Sequence, residues 1–186
     1  GSKAFVLPIP GSNLPSVIGW RTIDDTNKMI EIAQTKKRAV VIGGGLLGLE
    51  CARGLLDQGM EVTVLHLADW LMEMQLDRKA GEMLKADLEK QGMKIELQAN
   101  SKEIIGDKDV EAIKLADGRV IETDLVVMAV GIRPYTEVAK DSGLDVNRGI
   151  VVNDYMQTSD SHIYAVGECA EHDGKVYGLV APLYEQ

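Results

Sequence analysis

The 186-residue chain is 45% hydrophobic, which is enough apolar sequence to bury an α/β core and excludes a disordered tail. Its 29 acidic against 20 basic residues give a net charge of -9, and such a surface repels phosphate backbones and anionic lipid. We therefore expect no nucleic-acid partner and no membrane partner, and the sequence contains neither a membrane-length apolar run nor a signal peptide.

The cysteines and the first residues indicate the cellular compartment of the chain and its relation to a longer protein. Cys51 and Cys169 are far apart and form no CxxC pair, which argues against a disulfide framework, a redox-active pair or a cysteine-rich metal site. We interpret both as structural and expect a cytoplasmic protein. The chain opens on Gly1-Ser2 without a Met, as a tag remnant or an internal cut would, and we favour a fragment of a longer protein.

The N-terminal stretch predicts a linker and then a helix. Residues 5–11 are apolar but rich in proline, which removes backbone donors, so we expect an extended linker or edge segment there. Thr22 followed by Asp25 resembles a capping box that starts a helix, and the cations at 36–38 suit the C-terminal end of that helix.

A βαβ unit is predicted next. Residues 39–42 form a wholly apolar, β-branched run typical of a buried parallel strand, and the glycines of 43–48 interrupt it. Apolar residues then recur at helical spacing over 46–58, and 61–65 resumes strand character.

The middle of the chain adds to this sheet. Apolar residues at i, i+4, i+7 and i+8 predict an amphipathic helix over 77–91, followed by a strand over 94–98. Residues 110–115 and 119–122 flank an Asp-Gly dipeptide and predict a hairpin, after which 125–130 returns to the parallel sheet.

The character of the sequence changes after Gly131. Turns and short strands follow, with 163–166 as the last predicted buried strand, so we place a domain crossing near residue 131. The predicted fold class is α/β: a Rossmann-like parallel sheet with an inserted antiparallel hairpin or meander.

Gly43, Gly45 and Gly48 fit the spacing GxGxxG, and the motif follows a predicted strand and opens a predicted helix. In a dinucleotide site the first glycine permits the tight turn, the second lets the backbone approach the pyrophosphate, and the third allows close helix packing. The free amides of Leu46 and Leu47 and the helix dipole would meet the negative charge. NAD(H) or NADP(H) is the expected ligand; an ordinary glycine-rich turn and a methyltransferase cofactor loop are the alternatives.

Three side chains could complete this site. The second strand of such a unit usually ends in an acid that binds the adenosine ribose and favours NAD over NADP. His66 stands there, either as a ribose ligand or as a solvated strand-end histidine, and Asp69 is a nearby alternative acid, so the choice between NAD and NADP stays open. Glu50, just past the last glycine, either lies near the cofactor or faces solvent.

Several stretches of the chain resemble one family. GGGLLGLECA (43–52), MAVGIRP (128–134) and TSDSHIYAVGE (158–168) resemble, in order, three signatures of the two-dinucleotide flavoprotein reductases of the pyridine nucleotide-disulfide oxidoreductase family. HLADWLMEMQLD (66–77) and GECAEHDGKVYGLVAPLYEQ (167–186) resemble, more narrowly, the large subunits of assimilatory NAD(P)H nitrite reductases. The resemblance covers the whole chain.

In that family an NAD domain is inserted within an FAD domain. The resemblance therefore implies that residues 1–15 end the first FAD-domain segment and that 16–130 form the NAD(P)H-binding domain. It implies that 131–186 form an incomplete second segment of an FAD-binding, Rossmann-like domain.

The resemblance also assigns individual residues. It implies that Glu50 lies beside the nicotinamide and that Gly131 lines the NAD(P)H site. Gly167 and Glu168 are implied to approach FAD, although many relatives carry Asp where this chain has Glu168.

Two departures limit what this chain is expected to do alone. The family's first glycine motif, which holds the FAD adenosine, would precede Gly1, so we expect the full-length parent to bind FAD and this chain to bind it weakly or not at all. The iron-sulfur and sirohaem modules of nitrite reductases belong to the parent and not to these residues, for which we expect no metal site.

The resemblance implies a parent that passes a hydride from NAD(P)H to FAD and electrons onward to nitrite. Within the chain we expect cofactor positioning and no catalytic residue. The expected partners are a nicotinamide dinucleotide, the remainder of the FAD domain and downstream electron-transfer modules. A ferredoxin or rubredoxin reductase, an NADH oxidase, and a non-catalytic nucleotide-sensing module are the alternatives.

Overall fold

The computed structural model describes residues 1–178 and 180–186. In chain order the elements are β1 (Ser2–Ala4), β2 (Val17–Gly19), α1 (Ile23–Ala33), β3 (Arg38–Ile42), α2 (Leu46–Asp57), β4 (Glu61–Leu65), α3 (Arg78–Lys90), β5 (Lys94–Glu96), β6 (Ser101–Ile105), β7 (Ala112–Leu115), β8 (Val120–Glu122), β9 (Leu125–Met128), β10 (Ile132–Pro134), α4 (Glu137–Asp141), β11 (Ile150–Val152), β12 (Ala170–His172), β13 (Lys175–Val176) and α5 (Val180–Leu183).

These elements form two compact units. The larger unit runs from Phe5 to Val130, and the smaller unit combines Gly1–Ala4 with Gly131–Gln186. Residues 5–15, which the resemblance places in the first FAD-domain segment, lie in the larger unit, where several of their apolar side chains pack against its core. Residues 5–15 contain neither helix nor strand, because their prolines remove backbone donors.

A parallel sheet forms the centre of the larger unit, in the strand order β2-β9-β3-β4-β5. The predicted strands at 39–42 and 61–65 are confirmed as β3 and β4, and the one at 125–130 is confirmed as the shorter β9. All three lie in the middle of the sheet, and most of their residues are buried. The predicted strand at 94–98 is confirmed as the shorter β5. The edge strand β2 was not predicted, because three residues are too few to show a period.

Two layers cover this sheet. Side chains of α1, α2 and α3 pack on one face, where Val41, Val62 and Val64 belong to the same core cluster. The antiparallel sheet β6-β7-β8 packs on the other face, against Val40 and Val126. The predicted hairpin is confirmed as β7 and β8, with β6 as an added third strand, and the α/β class with an inserted antiparallel meander is confirmed.

Helix α1 begins where the sequence predicts and ends earlier. Thr22 Oγ1 accepts a hydrogen bond from the Asp25 N–H at 3.2 Å, and Asp25 Oδ2 accepts one from the Thr22 N–H at 2.7 Å, which completes the capping box. The prediction that the cations at 36–38 end this helix is wrong, because α1 ends at Ala33 and has no basic residue in its last turn.

Arg38 instead begins β3 and binds Asp124, just before β9. Arg38 Nη2 lies 2.9 Å from Asp124 Oδ1, and the Arg38 N–H donates to Asp124 Oδ2 at 2.9 Å. The side-chain hydrogen bonds from Arg38 outweigh burial and lower the pKa of Asp124 to about 2. Glu122 also pairs with Arg38 from an exposed position. This cluster joins the starts of two central strands and draws Arg38 away from α1.

The smaller unit is built from short strands. β1 pairs antiparallel with β10, and β12 pairs parallel with β11 and antiparallel with β13. Its small core contains Val152, Ala165 and Ala170. Glu171 is buried there and accepts hydrogen bonds from the Gly149 N–H and from Asn147, each at 2.8 Å.

The predicted buried strand at 163–166 is wrong. Within the described residues, its pairing is a single isolated bridge between Tyr164 and Gln157. Ile163, Tyr164 and Val166 are 40%, 59% and 57% exposed, and only Ala165 is buried. An apolar run becomes a buried strand only when neighbouring strands and a packed face cover it, and the described part of the smaller unit supplies neither here.

We expect Asp124→Asn to lower the free energy of unfolding by about 1–2 kcal/mol at pH 7, because it removes the carboxylate that Arg38 stabilises. The pKa of Asp124 is about 2 in the folded chain and about 4 when unfolded, so this contribution is complete above pH 4. It should disappear as the pH falls from about 4 toward 2. Urea unfolding of both proteins across that range measures the difference.

The matched control is Glu122→Gln. Glu122 binds the same Arg38 from a side chain that is 79% exposed, so we expect a much smaller change in stability at pH 7. Equal effects of the two substitutions would contradict the assignment of the stabilising charge to Asp124.

Candidate dinucleotide-binding site

The glycine loop connects β3 to α2 and folds back on the sheet. The Gly43 N–H donates to the carbonyl of Leu65, the last residue of β4, at 2.8 Å. Gly43 has a φ of +116°, and a Cβ there would collide with the carbonyl of Ala129. Gly43 is therefore required by its backbone conformation and by the strand beside it.

Glycine suits positions 48 and 45 for different reasons. A Cβ on Gly48 would collide with the carbonyl of Gly43, so this glycine lets α2 pack directly on the loop. A Cβ on Gly45 would meet no atom within 4 Å. Nothing in the described chain fills the space at Gly45, which leaves the loop backbone open to a ligand, as a pyrophosphate site requires.

The N-terminus of α2 is also available to a ligand. Its N-cap is Gly45, which provides no side-chain hydrogen bond, and its first turn contains no acidic residue. The first N–H groups of a helix have no intrahelical partner, so those at Leu46 and Leu47 can meet an anion. The side chains of Leu46 and Leu47 are both exposed, as is Glu50 in the following turn.

Gly44 is a site residue that the motif spacing did not reveal. Its N–H donates to Nδ1 of His66 at 3.0 Å, and its carbonyl accepts from the Met72 N–H at 3.0 Å. A Cβ on Gly44 would lie 2.6 Å from Leu71 Cδ2 and 2.8 Å from His66 Cγ. In the motif this position can hold any residue, and the one signal in the sequence was the run of three consecutive glycines.

His66 is an internal support of the loop. The interpretation of His66 as a solvated strand-end residue is wrong, because it is 7% exposed. Since Nδ1 accepts a hydrogen bond from the Gly44 N–H, the neutral ring carries its proton on Nε2, which lies 2.9 Å from Oε2 of Glu73. Both ring nitrogens are therefore engaged within the protein.

Asp69, the alternative acid, is bound elsewhere. Its Oδ1 accepts a hydrogen bond from Gln98 at 2.6 Å, and its Oδ2 accepts one from Arg78 at 2.9 Å. These hydrogen bonds, first that from Gln98 and then that from Arg78, lower the pKa of Asp69. The guanidinium of Arg78 also lies 4.8 Å from the ring centre of Trp70, so it is held on two sides.

The remaining predicted residues lie in the smaller unit. Gly131 is exposed, and the Gly167 N–H donates to Oε1 of Gln186 at 2.6 Å. Glu168 accepts a hydrogen bond from Ser2 Oγ at 2.7 Å, which joins the two segments of this unit. The structure thus brings residues 43–48 together with His66 in the larger unit, and Gly167 with Glu168 in the smaller unit.

The cysteines take no part in the loop. Cys51 is buried on α2, where loss of solvation raises the pKa of its thiol to about 12. Cys169 Sγ lies 3.4 Å from the carbonyl of Val166, and neither cysteine forms a disulfide. Within the described residues no three His, Cys, Asp or Glu side chains could hold a metal ion. No helix among those residues is long and apolar enough to cross a bilayer.

Known proteins share this architecture. The family model for pyridine nucleotide-disulphide oxidoreductases matches residues 1–182. Nitrite reductase NAD(P)H from Bacillus subtilis is 60% identical over 186 residues, which cover 100% of this chain and 23% of that protein. The assimilatory nitrate reductase electron transfer subunit of the same organism is 50% identical, and the match covers 100% of this chain and 24% of that subunit.

A solved structure extends the likeness to three dimensions. The ferredoxin reductase for the CYP199A2 system from Rhodopseudomonas palustris aligns with a TM-score of 0.90 and 32% identity. The alignment covers 96% of this chain and 46% of that chain. This chain therefore spans less than half of the reductase and about a quarter of the two Bacillus proteins.

We expect Gly44→Ala to destabilise the chain by about 1–3 kcal/mol, because the new methyl group would overlap Leu71 and the ring of His66. The matched control is Gly54→Ala within α2, where a Cβ meets no atom within 4 Å. Alanine is the better helix former, so Gly54→Ala should stabilise by about 0.5–1 kcal/mol. Urea unfolding measures both, and wild-type stability of Gly44→Ala would show that the loop does not need a glycine there.

Proposed function

The chain belongs to the pyridine nucleotide-disulphide oxidoreductase family, and we propose that its larger unit is the NAD(P)H-binding part of a nitrite reductase-type flavoprotein. One observation carries the proposal. At Gly43, Gly44 and Gly48 the surrounding atoms leave no room for a side chain. At Gly45 the space is open, and Gly45 is the N-cap of α2, whose N-terminus has no side-chain hydrogen bond. A pyrophosphate is the anion that this arrangement of glycines and helix amides binds in dinucleotide sites.

Within this unit the residues bind and orient the cofactor. Gly45 and the amides of Leu46 and Leu47 hold the pyrophosphate, and the strand-end segment that begins at His66 lies toward the ribose. Glu50, exposed on α2, orients the nicotinamide ring. Bound NAD(P)H supplies a hydride for FAD, whereas this chain contributes binding and orientation and no covalent step.

We propose that the smaller unit belongs to the FAD domain. Its two segments come from either side of the larger unit in sequence and are joined by the β1–β10 pair, as expected when one domain is inserted in another. Gly131 remains a proposed NAD(P)H-binding residue, and Gly167 and Glu168 are proposed to approach FAD. The exposed apolar residues at 163–166 would be covered by the remainder of that domain.

The activity of the whole protein is a wider proposal, because this chain spans 23% of the nitrite reductase that it resembles. We propose that the parent passes electrons from NAD(P)H through FAD to nitrite, with iron-sulfur and sirohaem centres carried by other segments. The parent would work in the cytoplasm, which the two unpaired cysteines support.

A second candidate has another electron acceptor. The chain is 50% identical to a nitrate reductase electron transfer subunit and 32% identical to a ferredoxin reductase of the same fold. In such a protein the same larger unit would receive NAD(P)H, and electrons would leave FAD for a separate redox protein. The electron acceptor distinguishes these candidates. In the first case the full-length parent reduces nitrite with NAD(P)H. In the second case it reduces a carrier protein with NAD(P)H and does not reduce nitrite.

We expect the chain to bind NADH or NADPH at micromolar to millimolar concentration, and Gly45→Ser to weaken that binding at least about tenfold. The serine side chain would occupy the open space at Gly45 and take up an amide of the first turn. Because serine is a good N-cap, the free energy of unfolding should stay level or rise. Nucleotide fluorescence and urea unfolding measure the two effects.

The proposal would be wrong if the wild-type chain bound neither nucleotide at millimolar concentration. Unchanged affinity in Gly45→Ser would place the nucleotide somewhere other than this loop.

A further inference from the structure

The side chain that follows β4 is not free to bind a ribose. His66 is 7% exposed, its Nδ1 accepts from Gly44, and its Nε2 lies 2.9 Å from Glu73. In dinucleotide sites an acid at this strand end usually binds the ribose hydroxyls. Since His66 uses both ring nitrogens inside the protein, a group that accepts from the ribose hydroxyls is to be sought elsewhere in the larger unit.

Glu73 places a carboxylate beside the strand end. Met72, with a φ of +58°, turns the chain there, and its N–H donates to the carbonyl of Gly44. This turn returns Glu73 to His66, which it contacts through Oε2. The Glu73 side chain is 35% exposed, and within the described part of the chain its Oε1 has no hydrogen-bond partner. One oxygen is thus fixed by the histidine while the other remains free to accept.

The charges around Glu73 are unfavourable for an additional phosphate. Residues 67–77 contain no lysine or arginine. Arg78, which follows, is bound by Asp69 at 2.9 Å and stacks on Trp70. A 2′-phosphate at this place would meet the negative charge of the Glu73 carboxylate, and the nearest cation in the strand-end segment is already paired with Asp69.

We propose that Glu73 binds the adenosine ribose hydroxyls and selects NADH over NADPH, and that His66 is the residue that positions it. The inference rests on the proposed NAD(P)H site. A carboxylate accepts hydrogen bonds from ribose hydroxyls and repels a 2′-phosphate. One imidazole ring and two hydrogen bonds connect this carboxylate to the Gly44 backbone, so the ribose ligand and the pyrophosphate loop are held as one unit.

The test is the affinity ratio for the two nucleotides, measured by fluorescence titration of the chain with NADH and with NADPH. The wild type should bind NADH at least about tenfold more tightly. Glu73→Gln should lower this NADH preference at least about tenfold, because the amide keeps an oxygen for His66 but loses the charge.

The control is Glu61→Gln, which removes the same charge from the other end of β4. The Glu61 side chain is 70% exposed and its Oε2 lies 3.7 Å from Lys94 Nζ, away from Arg78 and the strand end, so the affinity ratio should not change. An equal loss of both nucleotides in Glu73→Gln would show that Glu73 only supports the loop and would overturn the proposal. A shift of the ratio in Glu61→Gln instead of Glu73→Gln would overturn it as well.

The wild-type ratio alone also tests the proposal without any variant. A preference for NADPH would contradict the inference, because the Glu73 carboxylate should repel a 2′-phosphate. Binding of neither nucleotide to the wild type would contradict the proposed function itself, whereas binding without NADH preference contradicts only the role of Glu73.

Discussion

The hydrogen bond from the Gly44 N–H to the buried ring of His66 holds the site of the larger unit together. It ties the loop after β3 to the end of β4, and the Met72 N–H adds a second bond from the next segment to the Gly44 carbonyl. Because no side chain fits at Gly44, the ring can approach the backbone closely. Both polar groups of this glycine are satisfied within the protein, so the loop is rigid at its centre and open only at Gly45.

Most of the fold of the larger unit could be predicted from the sequence, because its central elements carry strong periodic patterns. Apolar runs form most of β3 and all of β9, which are buried on both faces, and α2 lies between a glycine turn and another glycine. β2 and β6 escaped prediction because their pairing partners, not their own residues, decide that they are strands. The strand predicted at 163–166 failed for the converse reason: its residues are suitable, but within the described chain its strand pairing is limited to one isolated bridge with Gln157.

The site was predictable only where the motif has a local mechanism. Gly43, Gly45 and Gly48 follow from the needs of a strand-turn-helix junction. The need for glycine at Gly44 and the proposed role of Glu73 do not, since both depend on how the segment after His66 folds back on the loop. That return is set by a left-handed residue and a buried leucine, neither of which produces a spacing that a sequence pattern can reveal. His66 was found by its position at the strand end, but its burial was not.

The pairing of β1 with β10 has a consequence for the order in which the chain folds. Ala4 pairs with Ile132, and the whole of residues 5–130 lies between them in the larger unit. Closing so long a loop carries an entropy cost and slows the contacts that depend on it. The larger unit, whose sequence is continuous, is therefore expected to form first and bring the two strands within reach. The smaller unit then assembles last and opens first, an order that hydrogen exchange at the β1 and β10 amides would reveal.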